Sequence, residues 1–81
     1  MTFEPSSQLL AFVLPLSFQK GDLTFCRANN LYDSIRFPVK PTAKPRQVFS
    51  TAHLSKGLWR VYLNWSDGRQ QYHDEKEIRI G

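Results

Sequence analysis

Leu54-Ser55-Lys56-Gly57-Leu58-Trp59-Arg60-Val61-Tyr62-Leu63-Asn64-Trp65-Ser66-Asp67-Gly68 is the stretch that decides the fold. Trp59, Val61, Leu63 and Trp65 fall on one side of a two-residue repeat, with Arg60, Tyr62 and Asn64 on the other. Successive side chains of a strand point to opposite faces, so this is a strand with an apolar and a polar face. Ser66-Asp67-Gly68 then reads as a hairpin turn, because glycine tolerates the positive φ that tight turns need. Residues 69–73 return as the partner strand. Asp74-Glu75-Lys76-Glu77 reads as a polar bend, and residues 78–80 as a short last strand.

The same period runs upstream. Leu9 to Leu14 is apolar at both parities, as expected of a strand buried between two layers, and Pro15 closes it. Lys20-Gly21 reads as a turn leading to residues 22–28, where Leu23 and Phe25 share one face. Asn29-Asn30 is a second turn signal. Ile35, Phe37 and Val39 alternate with Ser34, Arg36 and Pro38, and a proline there points to an edge strand or a strand end. Residues 40–46 hold three cations and two prolines, the mark of a stiff, charged surface connection. Residues 47–53 form a moderate strand. A helical period of 3.6 appears nowhere.

Seven short strands at intervals of roughly ten residues predict a small antiparallel β-sandwich of immunoglobulin-like type, all-β, with an open barrel as the competitor. The chain of 81 residues leaves no room for a second domain. Residues 1–7 read as a linker segment at its start. A net charge of +4 with 41% hydrophobic residues is globular rather than disordered composition. The longest apolar run, residues 9–14, is far short of the ~20 residues that cross a bilayer as a helix. Neither a basic start nor a small-residue cleavage site marks a signal peptide.

Four kinds of chemistry have candidate residues in the chain. Asp74, Glu75 and Glu77 stand among Lys76 and Arg79, which suits a solvated bend better than acids opposed across a substrate. Cys26 lies mid-strand beside Phe25, where cysteine usually serves as a small buried hydrophobe. Arg27 would lower its thiol pKa only from the same face, and consecutive residues take opposite faces. A copper site can be assembled from Cys26, His53, His73 and Met1, whose donor types suit Cu(I), though no short spacing unites them. Lys40, Lys44 and Arg46 near Phe37 and Phe49 interleave cations with rings, as single-strand nucleic-acid binders do. Elsewhere Arg27, Arg36, Arg60, Arg69 and Arg79 are spread over every strand without forming a stripe. Only weak, salt-sensitive, non-specific nucleic-acid binding is expected, and the same cations suit a domain held near anionic lipid.

The second half of the chain resembles the FixH family. Leu54 to Trp65 is similar to its "L-x-x-G-x-W-x-(hydrophobic)-x-(hydrophobic)-x-W" strand, followed by the Asp67-Gly68 turn, Tyr72 and a terminal strand at 78–80. Upstream, Gly21, Phe25, Arg27, Asp33 and Phe37-Pro38-Val39 resemble the family's "G-x-(hydrophobic)-x-F-x-R-P-S-x…D…P-(hydrophobic)" stretch. The family has proline where Ala28 stands and often an aromatic where Cys26 stands. The likeness spans about residues 9 to 80.

This resemblance implies an interaction or assembly factor rather than an enzyme, without a cofactor, on the periplasmic face of the cytoplasmic membrane. It implies an N-terminal membrane helix upstream of the domain. The implied role is to assemble or equip a high-affinity haem–copper cytochrome oxidase, with oxidase subunits and a copper-transporting P-type ATPase as partners. The signature residues Gly21, Phe25, Arg27, Asp33, Gly57, Trp59, Trp65, Gly68 and Tyr72 all have plain structural uses: the tryptophans enter the core and Tyr72 pairs across the hairpin. Asp33 is placed to bind turn amides or Arg27. The expected docking surface is the Pro-bearing strand at 34–39 with Lys40, Lys44 and Arg46.

Overall fold

Alternation of side-chain character becomes, among the described residues of the computed structural model, seven strands and no helix. The structure describes residues 1–41 and 44–81, with residues 30–33 by their backbone alone. The strands are β1 (Thr2–Glu4), β2 (Leu9–Val13), β3 (Lys20–Arg27), β4 (Asn30–Val39), β5 (Arg46–Ser50), β6 (Gly57–Ser66) and β7 (Gln71–Ile80). They make two antiparallel sheets, ordered β1-β2-β5 and β4-β3-β6-β7. This is an immunoglobulin-like sandwich in which the fourth strand has left the first sheet to pair with the third.

The core forms where the inner faces meet. Leu10, Phe12 and Leu14 from one sheet pack with Leu23, Phe25, Trp59, Val61, Leu63, Ile78 and Ile80 from the other. Phe25 is fully enclosed. Its ring lies 5.5 Å from Phe49 of β5 across the layers and 6.0 Å from Phe37 of β4. Phe37 and Phe49 are 4.7 Å apart, and together they close the side of the sandwich where β4 and β5 are the edges.

Three sequence expectations are corrected. Leu9–Leu14 is not buried throughout on both faces: of Leu9, Ala11 and Val13 on the outer side of a three-stranded sheet, Ala11 is buried, Leu9 is half-buried and Val13 is 69% exposed. Residues 74–77 are not a bend, because β6 supplies a ten-residue partner and β7 pairs with it continuously from Gln71 to Ile80. On this edge strand Asp74 and Lys76 share parity with inward Ile78 and Ile80 yet stay exposed. Charges aimed inward on an edge discourage a foreign strand from pairing there. Finally, the expected linker at 1–7 contains β1, whose Phe3 packs against the core and pairs with Leu10. Gln8, in the β1–β2 turn at φ 56°, is held there by Thr51, which donates to its carbonyl from both N and Oγ1.

Replacing Phe25 by alanine removes the ring on which both sheets meet, at a cost of about 3–5 kcal/mol. Stability in a domain this small is of similar size. Urea denaturation of Phe25→Ala is expected to show a chain largely unfolded at 25 °C, and a loss below about 1 kcal/mol would refute the central placement of this ring.

Candidate functional site

Strand parity sorts the predicted residues onto three regions. The first is the corner where the β5–β6 connection enters β6. Trp59 is 2% exposed, and its indole Nε1 donates to the Ser55 carbonyl at 2.9 Å, folding the connection back on the strand. Arg27 lies over the same ring, 4.8 Å from its centroid, and donates from Nη1 to the Lys56 carbonyl at 2.9 Å and from Nη2 to Ser55 Oγ. Gly57 sits at φ 135°, and a Cβ there would meet Arg27 Nη1 at 2.6 Å. Gly57, Trp59 and Arg27 are thus one structural lock. The expected Arg27–Asp33 contact concerns a side chain outside the described residues.

The second region is the β4–β5 side. Pro38 lies on β4, a strand paired with β3 alone. Lys40 and Lys44 in the connection that follows, whose residues 42 and 43 are outside the described set, and Arg46 at the start of β5 are all exposed. Pro45 accepts a hydrogen bond from Leu14 N at 2.9 Å, which anchors the end of this connection to β2. Phe37 and Phe49 do not stand beside the cations as stacking platforms. They pack on Phe25 and on each other, and His53 meets both edge-on at 5.5 and 5.8 Å.

The third region is the outer face of the four-stranded sheet, where one row crosses all its strands. Arg36 Nη2 donates to Asp22 Oδ2 at 2.8 Å, Asn64 Nδ2 donates to Asp22 Oδ1 at 3.3 Å, and Asn64 Oδ1 meets His73 Nδ1 at 2.7 Å. Glu75 continues the row, 3.9 Å from His73 Nε2. At the same strand ends but on the inward parity, Trp65, packed against the core, stacks with Tyr72 with centroids 4.1 Å apart and planes at 15°. Gly21 makes this packing possible. A Cβ on it would meet the Asn64 carbonyl at 2.9 Å and Trp65 Cβ at 3.1 Å. Sequence reasoning named Gly21, Trp65, Tyr72 and His73 but missed Asp22 and Asn64. Their signal was available as opposite residues on the polar faces of two neighbouring strands.

The donors proposed for copper are not brought together. Cys26 is half-buried on the outer face between Ser34 and Arg60, not in the core as expected. His73 lies four residues along the register, roughly 13 Å away at strand rise, and His53 sits on the β4–β5 side. Among the described residues no group of three or more metal-ligating side chains forms. Titrating the reduced chain with Cu(I) is expected to give no complex tighter than micromolar, and a tighter 1:1 complex would contradict this separation.

At the turn, Asp67 Oδ1 accepts from the backbone N of Arg69 at 2.8 Å and of Gln70 at 2.9 Å, while Gly68 has φ 93°. Bonds from the Gln70 and Arg69 amides hold the Asp67 carboxyl below its ordinary value of 3.8. A carboxyl depressed in the folded state stabilises above its unfolded pKa, and that contribution fades as pH falls through the folded value. The stability gap between the chain and Asp67→Ala is therefore expected at full size at pH 7 and shrinking below pH 3.8. A gap that widens on acidification, followed by urea melts, would show the sign to be wrong.

Against known proteins, the chain matches no family model, and neither a curated protein nor a solved structure is significantly similar to it.

Proposed function

We propose that this sandwich is a non-catalytic, extracytoplasmic interaction domain of the FixH kind, tethered at the cytoplasmic membrane by a helix upstream. In this reading it helps assemble or equip a high-affinity haem–copper oxidase by touching oxidase subunits or a copper-transporting P-type ATPase. The observation that carries the reading is β4, a long strand hydrogen-bonded to β3 alone. Beside it stand Lys40, Lys44 and Arg46. A strand paired once offers backbone donors and acceptors to an incoming segment, and flanking cations favour an acidic one. The ordered likeness from Gly21 to Ile80 supports the family, and the core roles of Phe25, Trp59 and Trp65 suit residues kept for shape.

The membrane-tethered parent chain is expected to co-purify with oxidase subunits or the copper transporter. The triple change Lys40→Glu, Lys44→Glu and Arg46→Glu is expected to reduce recovery at least tenfold while leaving the fold intact. Co-purification with neither partner would overturn the family role, and recovery unchanged in the triple variant would overturn the surface.

A further inference from the structure

We propose that one end of the sandwich, built by the β2–β3 and β4–β5 connections and the β6–β7 hairpin, seats on an anionic lipid bilayer. Two exposed aliphatic side chains enter the bilayer surface, and the cations around them meet the headgroups. Lipid contact at this end is independent of the partner proposed for the β4 edge. Both use Lys40, Lys44 and Arg46, whereas Leu16, Lys20 and Arg69 belong to the lipid surface alone.

The fold gathers at this end charges that the sequence scatters. Lys20 opens β3 opposite Ser66, where β6 runs into its hairpin, and Arg69 lies in that hairpin. Gly21 pairs with Val39, so Lys40 leaves β4 next to the start of β3. Arg46 stands opposite Val13 at the first position of β5, and Lys44 precedes it. All five cations are exposed. Among the described residues the one carboxylate here is Asp67, which accepts from the amides of its own turn. Asp22, next inward, is paired with Arg36 at 2.8 Å. The chain's other six cations are matched in number by six carboxylates, so this end carries the whole net charge of +4. A field so one-sided turns the molecule basic end first toward a negative surface.

Exposed apolar surface is concentrated at the same end. Leu16 and Val13 are the most exposed large hydrophobics among the described residues, at 70% and 69%. Leu16 takes a corner of a tight turn, which Phe18 N closes by donating to the Pro15 carbonyl at 3.1 Å. Leu14 and Phe18, buried on either side, root this turn in the core. Its flanks are tied as well: Leu14 N donates to the Pro45 carbonyl at 2.9 Å, and Gln19 N to the Ser66 carbonyl at 2.8 Å. A leucine fixed in water adds nothing to the fold, whereas its transfer into acyl chains is favourable. Peripheral membrane binding sums these two terms, apolar area buried and cations at headgroup level. A nucleic acid would use the charges but leave both aliphatic side chains wet, since bases stack on rings.

The test is co-sedimentation of the chain with vesicles of phosphatidylcholine alone and of an equimolar mixture with phosphatidylglycerol. Saturable binding is expected to the mixed vesicles only. Leu16→Ser is expected to weaken it about tenfold, the worth of one leucine taken out of water. Lys20→Glu combined with Arg69→Glu is expected to weaken it by at least about tenfold. Lys56→Glu combined with Arg79→Glu makes an equal charge change at the opposite end, a ten-residue strand away. That pair is expected to keep affinity within about threefold, because charges beyond a screening length of about 10 Å act weakly. All these side chains are exposed, and the amide spectrum of each variant reports its fold. Failure to sediment with the mixed vesicles, or an equal loss from the opposite-end pair, would overturn the proposal. Full affinity in Leu16→Ser would overturn it too, and tight oligonucleotide binding by that variant would assign the cations to nucleic acid instead.

Discussion

The antiparallel pairing of β3 with β6 is the constraint from which the rest of the molecule follows. Its register sets Leu23 opposite Leu63 and Phe25 opposite Val61 on the inside, and Asp22 opposite Asn64 on the outside. A slip by one residue would turn every one of these side chains to the wrong face. It would bury Asp22, Thr24 and Asn64 and expose Phe25 and both leucines. The apolar interior therefore specifies the polar row, which is placed as strictly as the core beneath it.

Both ends of this pair are pinned by devices that involve glycine and tryptophan. At one end Trp59 ties the β5–β6 connection to its own strand and Arg27 covers the ring. At the other, Trp65 leans on Tyr72 above the space left by Gly21. With a single cysteine the domain has no internal disulfide, and it has little area to bury at this length. Rings that each bury on the order of 150–250 Å² make up for this, and their position at the strand ends limits fraying where connections begin.

The sandwich was legible because period-two alternation is a local property, and β3, β4 and β6 show it cleanly. The misreadings came from places where the deciding neighbour lies elsewhere in the chain. Val13 looks like a core residue as much as buried Ala11 does, since nothing local tells that the outer side of β2 opens to solvent at that end. Asp74 to Glu77 look like a bend, since the strand that keeps them extended is β6. Likewise β1 is too short to declare itself and exists only by pairing with β2. The outer row was half legible: Arg36 and His73 stood out by type, whereas Asp22 and Asn64 gain meaning only from being opposite each other.

The unequal edges of the larger sheet have a consequence for stoichiometry. Growth of a sheet by repeated edge pairing requires two receptive edges per molecule. Here β7 sets Asp74 and Lys76 on its inward parity, whereas β4 has no such pair described. In the smaller sheet the edges β1 and β5 are short, at three and five residues. A strand added at β4 therefore ends the sheet rather than seeding another addition, so the geometry favours a discrete one-to-one complex over a fibre.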